Sequence, residues 1–377
     1  MGHRVKRRIL SVVGARPNFM KVAPIARACT AYAEYIEHAI CHTGQHYDYT
    51  MSQAFFEDLD LPEPLFYLGV GSGSHAEQTA RIMLAFEPIC TEWKPDLVIV
   101  VGDVNSTIAC TLVAVKLGIQ TAHVEAGLRS FDRTMPEEIN RVATDALCDW
   151  LFCTEQSGVD NLLREGASPD RVFFVGNTMI DSLLAAMPKV EACTIRQELG
   201  LSRGGYAVVT LHRPSNVDDP IQLAELLEVL SDLSQRMPVV FPVHPRTQSN
   251  IEQFGLSARV TKAKQLLLIP PQRYVHFVAL VRDAALVLTD SGGIQEETTV
   301  LGVPCITLRT TTERPSTIEY GTNVLVPPKR ERITAAIEEV LAASPRSHQI
   351  PPLWDGHAAE RIVRIIAERC LGINCIA

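Results

Sequence analysis

Short apolar runs rich in β-branched residues recur along this chain, each followed by an amphipathic stretch. The first series comprises Ile9–Gly14, Leu97–Gly102, Thr121–Val124, Trp150–Cys153 and Val172–Gly176. After about residue 185 the pattern restarts with Ala207–Leu211, Val239–Val243, Leu266–Ile269, Ala285–Leu288 and Pro304–Leu308. Runs that are continuously apolar, rather than alternating, belong to strands buried on both faces. Parallel sheets covered by helices bury strands in that way. Two series predict two doubly wound α/β domains, and 377 residues exceed one ordinary core. The weakest stretch is Met187–Gly205, with Pro188 near its start and Gly204-Gly205 near its end. The expected division is therefore 1–180 and 181–357. A last helix within 358–377, with Ile362, Ile365 and Ile366 at helical spacing, is expected to dock back on the first domain.

A net charge of −8 and only 6% aromatic residues disfavour a nucleic-acid partner. They leave room for a phosphorylated small molecule met by local arginines. The ten cysteines include no Cys-x-x-Cys pair and sit mostly in apolar runs, as small buried hydrophobes of a reducing, cytoplasmic setting do. No run of about 18 apolar residues exists, so no membrane partner is expected.

In open α/β sheets ligands bind at the carboxyl ends of strands, and the chemically loaded residues follow those ends. The most informative is Leu288–Glu297, where an apolar run meets Ser291-Gly292-Gly293 and then a helix. A strand end, a tight turn and a helix N-terminus leave backbone N–H groups directed at one spot, an anion site. Glu296 and Glu297 beside it suit sugar hydroxyls better than phosphate, which suggests a nucleotide or nucleotide-sugar. Gly14-Ala15-Arg16-Pro17 places an arginine at the first strand end, with Lys21 one turn into the helix. Asp103 after Gly102 reads either as a helix N-cap or as a presented carboxylate. Glu125 ends a strand among apolar residues, where a charge needs a partner, and His123 and Arg129 are near in sequence. Glu137 and Arg141 are spaced to share a helix face. His212-Arg213 and His244-Pro245-Arg246 put histidine and arginine at two successive strand ends. His42 and His46 have metal-ligand spacing, but Gly44 and the lack of an acidic third ligand favour a polar loop, and no metal is expected.

These stretches together resemble the non-hydrolysing UDP-N-acetylglucosamine 2-epimerases. The matching segments are GARPNFMK at 14–21, HTGQHYD at 42–48, GDVNST at 102–107, HVEAGLR at 123–129 and MPEEINR at 135–141. His212-Arg213, PVHPR at 242–246, LTDSGGIQEE at 288–297 and TERP at 312–315 complete the set. The resemblance implies a GT-B fold, two Rossmann-like doubly wound domains facing a central cleft, and a homodimer. It implies Asp103, Glu125, Glu137 and His212 as catalytic residues. It implies substrate and UDP binding by Arg16, Lys21, Arg141, His244, Ser291, Gly292, Gly293, Glu297 and Arg314. Gln45, His46 and Gln78 are the candidates for an allosteric substrate site. Two segments depart from many family members: Tyr47-Asp48-Tyr49 after the His-Thr-Gly-Gln-His run, and Pro214-Ser215-Asn216 after His212-Arg213.

The activity so implied is reversible C2 epimerisation of UDP-N-acetylglucosamine to UDP-N-acetylmannosamine, supplying sugars for surface polysaccharide. The implied route is anti elimination of UDP to a 2-acetamidoglucal and re-addition, with no cofactor. A GT-B glycosyltransferase and a UDP-sugar sensor would share the nucleotide site. Three carboxylates in the first domain weigh against both.

Overall fold

A computed structural model describes residues 6–44, 56–343 and 348–373. The chain forms two compact units, residues 1–185 with 352–377, and residues 186–351. The sequence reading set its boundaries at 180 and 357.

Unit 1 holds a seven-stranded sheet in the order β3-β2-β1-β4-β5-β6-β7. Its strands are β1 (Arg7–Val13), β2 (Ile36–His42), β3 (Phe66–Tyr67), β4 (Leu97–Val101), β5 (Gln120–Val124), β6 (Trp150–Cys153) and β7 (Val172–Phe174). Every pair is parallel. Helices α1 (Arg16–Cys29), α2 (His75–Trp93), α3 (Asn105–Lys116), α4 (Pro136–Leu147), α5 (Gln156–Arg164) and α6 (Thr178–Glu191) cover it. β4 shows why the apolar runs were continuous: all five of its residues are buried, because helices lie on both faces.

Unit 2 repeats the design with a six-stranded parallel sheet, β10-β9-β8-β11-β12-β13. Its strands are β8 (Ala207–Thr210), β9 (Val239–Pro242), β10 (Leu266–Ile269), β11 (Leu286–Thr289), β12 (Cys305–Leu308) and β13 (Asn323–Val326). The longer helices are α7 (Pro220–Ser234), α8 (Pro245–Gln253), α9 (Tyr274–Arg282), α10 (Gly292–Leu301) and α11 (Arg330–Ala342). Leu223, Leu226, Leu227 and Leu230 of α7 lie in the core beside Val239, Phe241, Leu286 and Leu288.

The strand orders decide where a ligand can enter each unit. Sequence direction reverses between β1 and β4 in unit 1 and between β8 and β11 in unit 2. At such a switch point the two following connections turn to opposite faces and open a crevice at the carboxyl ends. In unit 1 that crevice is bordered by Gly14 and Gly102, in unit 2 by Leu211 and Asp290.

The stretch read as weakest, Met187–Gly205, begins inside α6, which runs through Pro188 to Glu191. The last helix, α12 (Ala358–Ile365), packs on α1 of unit 1. The buried carboxylate of Asp181 accepts the N–H groups of Ala358 and Ala359 at 3.2 and 2.7 Å and so caps it from a distance of 177 residues or more in sequence. Trp354, fully buried, donates its indole N–H to the Thr154 carbonyl at 2.9 Å.

The return segment passes closely against Gly176, two residues beyond β7. That glycine has φ of +89°, and a Cβ there would collide with the Leu353 carbonyl oxygen. Gly166 has a similar φ of +91° but open space around it. Gly176→Ala is expected to cost about 3 kcal/mol or more in urea unfolding, and Gly166→Ala about 1 kcal/mol, the left-handed backbone cost alone. Equal losses would refute the close approach at Leu353.

Candidate active site

In unit 1 the turn after β1 is tied to the end of β4. Asn18 accepts the N–H groups of Gly14 and Ala15 at 3.0 and 2.9 Å and donates to the Val101 carbonyl at 3.3 Å. The Arg16 side chain, with Gln45 and His46, lies outside the described residues. Lys21, one turn on, is buried and forms an ion pair with Glu125. This corrects the sequence expectation, in which His123 or Arg129 served Glu125. Those two are engaged elsewhere, because Asp145 of α4 takes both. His123 Nδ1 lies 2.6 Å from Asp145 and its Nε2 lies 2.8 Å from the Gly102 carbonyl, while Arg129 donates to Asp145 at 2.7 Å. Burial opposes ionisation of Asp145, but its contacts with His123 and the Arg129 guanidinium outweigh it and hold its carboxyl below the usual range. Glu125 itself sits at φ of +76°, a left-handed conformation that costs a non-glycine residue energy. Strain of this kind marks positions where geometry is over-determined by function or packing.

Asp103 is not the cap of α3, since Val104 occupies that position. Its carboxylate pairs with Arg141 at 2.5 Å. Arg141 also takes Glu138 at 2.5 Å, and Glu138 accepts the N–H groups of Ser130 and Phe131 at 2.9 and 3.0 Å. Arg141 therefore reaches back to Asp103 and Glu138, while Glu137 stands one turn before it on the same helix. Glu137 stays exposed in the first turn of α4. Unit 1 thus presents three carboxylates in three settings: one on a buried lysine, one on a buried arginine, one open to solvent. Gln78, a candidate for a second substrate site, is buried on α2 and donates to the Gly71 carbonyl at 3.0 Å.

In unit 2 the organising residue is one that sequence reasoning missed. Asp290, directly after β11, is completely buried. It accepts the N–H groups of His212 and Arg213 at 3.0 and 2.9 Å and the Asn216 amide at 3.1 Å. His212 Nδ1 lies 2.8 Å from it as well. Burial disfavours the charged carboxyl, yet His212 and these N–H groups hold it below the usual range. An ionised Asp290 fixes a proton on His212 Nδ1, and Nε2 of this half-exposed ring is then the nitrogen available to a ligand. His244 lies beside it, ring centroids 5.9 Å apart. Its Nδ1 accepts the Arg246 N–H at 3.2 Å and caps α8. Asp290 had a sequence signal, a carboxylate ending the apolar run Ala284–Leu288, but its partners are about 75 residues away.

At the anion turn, the Ser291 N–H is bonded to Thr289 Oγ1 at 3.0 Å, so it does not join the free donors expected there. The N–H groups of Gly292, Gly293 and Ile294 open α10 and have no carbonyl one turn back. Arg314 packs underneath: a Cβ on Gly292 would lie 2.6 Å from its guanidinium. Arg314 pairs with Glu296 at 2.8 Å and with Glu313, which also holds Arg309. Glu296 is thus paired and is not the open hydroxyl acceptor expected from the sequence. Both glutamates come in the second turn of α10. Glu297 is different. It is buried and faces Tyr274; burial, with the nearby Glu296 charge, pushes its carboxyl up to about 8, against the opposing Tyr274 hydrogen bond. Tyr274 was not anticipated either.

No group of three or more histidine, cysteine or acidic side chains with metal-binding geometry occurs among the described residues, and none of their helices is long and apolar enough to cross a membrane.

Glu297 gives a pH prediction. Its folded pKa of about 8 exceeds the ordinary 4.5. Between those values the folded chain holds a proton that the unfolded chain has released, so rising pH favours unfolding. The stabilisation is complete below about pH 4.5 and lost toward about pH 8. Glu297→Gln is expected to flatten the fall in urea stability over that window, and identical slopes would contradict a buried neutral carboxyl.

The sequence model of the family described as UDP-N-acetylglucosamine 2-epimerase matches residues 28–367. A Methanocaldococcus jannaschii protein named UDP-N-acetylglucosamine 2-epimerase is 42% identical over 360 residues, 94% of this chain and 97% of that protein. A Pseudomonas aeruginosa protein named UDP-2,3-diacetamido-2,3-dideoxy-D-glucuronate 2-epimerase is 38% identical, over 96% of this chain and 99% of that one. The crystal structure of M. jannaschii UDP-GlcNAc 2-epimerase in complex with UDP-GlcNAc and UDP superposes with a TM-score of 0.90 at 41% identity, covering 96% of this chain and 99% of that one. The Neisseria meningitidis enzyme bound to UDP-GlcNAc gives 0.86 at 28% identity, covering 96% and 100%. With its two Rossmann-like domains of GT-B type, this chain belongs to the UDP-N-acetylglucosamine 2-epimerase family of isomerases.

Proposed function

We propose that this protein interconverts UDP-N-acetylglucosamine and UDP-N-acetylmannosamine by inverting C2, without metal or redox cofactor. The observation that carries the reading is the trio Asp103, Glu125 and Glu137 at neighbouring strand and helix ends, two of them held by buried cations. The relatives named above, two of them solved with UDP-GlcNAc bound, support the substrate.

The C2 proton of an N-acetylhexosamine is not next to a carbonyl, so a carboxylate alone cannot remove it. Cleaving the C1–O bond builds positive charge at C1 and acidifies C2–H. One carboxylate takes the C2 proton, the C–H electrons form the C1=C2 bond of 2-acetamidoglucal, and the C1–O electrons leave with UDP. In the return step a second carboxylic acid protonates C2 on the opposite face and a UDP oxygen closes on C1. Atoms and electrons balance, and the carboxylates exchange protonation states. Ion pairing by Lys21 and Arg141 holds two of the carboxylates in place. On this reading Arg16, His212, Ser291 and the Gly292 and Gly293 N–H groups stabilise the departing diphosphate. Glu297 takes ribose hydroxyls, and His244 and Arg314 support the nucleotide end. Gln45, His46 and Gln78 remain the candidates for a second substrate molecule. The working form would be a cytoplasmic homodimer supplying N-acetylmannosamine units for surface polysaccharide.

The Pseudomonas relative favours a second substrate reading, a UDP-2,3-diacetamido-2,3-dideoxy-D-glucuronate, for which the C2 chemistry is the same. Proton NMR in D₂O distinguishes them: UDP-N-acetylglucosamine alone is expected to give UDP-N-acetylmannosamine carrying deuterium at C2. Turnover only of the diacetamido sugar would establish the second reading, and free N-acetylmannosamine with UDP would overturn a non-hydrolysing route.

Asp103→Asn, Glu125→Gln and Glu137→Gln are expected to lower kcat by about 10²–10⁴-fold, with UDP affinity by calorimetry within about threefold of wild type. Full turnover in all three would remove the carboxylates from the chemistry.

A further inference from the structure

The turn carrying Asp103 is held by more than its ion pair. Its backbone carbonyl accepts the side-chain amide of Asn140 at 2.9 Å. Asn140 and Arg141 are consecutive on α4, so their side chains leave the helix about 100° apart. One takes the Asp103 carbonyl and the other the Asp103 carboxylate.

The Asn140 amide is itself fixed. The same Nδ2 lies 3.3 Å from Oδ1 of Asn105, a buried residue opening α3. Asn105 donates its own Nδ2 to Gln78 Oε1 at 2.8 Å, and Gln78 donates to the Gly71 carbonyl at 3.0 Å. His75 Nδ1 lies 3.1 Å from the Asn105 amide nitrogen. The direction of every bond follows from the two ends. Gly71 and Asp103 offer carbonyl oxygens, which only accept. Gln78 must therefore turn its NH₂ to Gly71 and its oxygen to Asn105. Asn105 must turn its NH₂ to Gln78 and its oxygen to Asn140, whose NH₂ then meets Asp103. Flipping Gln78 or Asn105 would break a bond on each side. Packing of α2, α3 and α4 alone needs no buried amides, since apolar side chains would bury at lower desolvation cost.

We propose that Asn105 and Asn140 are positioning residues for Asp103, holding the peptide that carries its carboxylate through a directional chain of side-chain amides anchored at Gly71. This rests on the reading of Asp103 as one of the reacting carboxylates. Asn105 and Asn140 act on where the Asp103 oxygens stand, and a displacement of about 1 Å can cost on the order of 10²-fold in rate.

The test uses Asn140→Ala and Asn105→Asp, the second nearly the same shape but without the donor to Gln78. Turnover of UDP-N-acetylglucosamine, UDP affinity and Tm are measured beside Asp103→Asn. The expected result is a kcat lower by about 10- to 100-fold in both, with KM and UDP Kd within about threefold and Tm within a few degrees. Wild-type kcat in Asn105→Asp would show that shape alone matters and overturn the proposal. So would a parallel loss of kcat, UDP affinity and Tm in both variants, which is the mark of a general packing role. Full activity in Asp103→Asn would instead overturn the reading of Asp103 on which the proposal stands.

Discussion

A parallel sheet covered by helices on both faces has no free face on which to build a site. Its strands are buried along their whole length, as β4 and β11 are. Chemistry is left to the strand ends, where the backbone stops pairing and turns into a helix. In each unit the reversal of strand order widens one such position, and the polar residues of interest gather there. In unit 1 the ends of β4 and β5 carry Asp103 and Glu125, and the helix after β1 brings Lys21 to them. In unit 2 the ends of β8 and β11 carry His212, Asp290 and the turn at Gly292. The same constraint that makes the fold legible in the sequence therefore also fixes where function can sit.

Each cluster keeps charge in a place with little water by pairing it at once. Glu125 has Lys21, Asp103 and Glu138 share Arg141, and Asp145 collects His123 and Arg129. Removing one member of such a pair leaves the other buried and uncompensated, which is far costlier than the pair's net contribution to stability. The pairs therefore act less as stabilisers than as registers: they make one arrangement of the strand ends much better than its neighbours. Asp290 does this most directly, since one carboxylate holds the backbone of His212 and Arg213 and the ring of His212.

The sequence alone revealed the two sheets, the strand ends and the identity of the loaded residues, because those depend on local periodicity and local turn chemistry. It did not reveal who pairs with whom. Near neighbours such as His123 and Arg129 were natural partners for Glu125, but the chain brings Lys21 there from over a hundred residues away. Glu137 and Arg141 had the right spacing, yet Arg141 turns to Glu138 and Asp103 because the β4 turn lies across that side of α4. Tyr274 and Asp290 went unremarked because their importance lies in burial and long-range contact, neither of which has a local signature. Arg16, Gln45 and His46, by contrast, were visible only in the sequence, and their side chains lie outside the described residues.

The anion turn of unit 2 shows how the two kinds of information combine. By sequence, the cations near it would be credited with attracting phosphate. In the fold, Arg314 is matched by Glu296 and Glu313, and Arg309 by Glu313, so this buried group of four charges sums to zero. Arg246 is paired with Asp218 at the surface. The field at the start of α10 then comes chiefly from aligned N–H groups, whose strength does not depend on a mobile side chain. Glu297, held neutral by burial, adds no opposing charge near neutral pH. A turn arranged in this way is suited to a group that must be held while its charge changes, since fixed dipoles need little reorganisation when a bound phosphate becomes a leaving group.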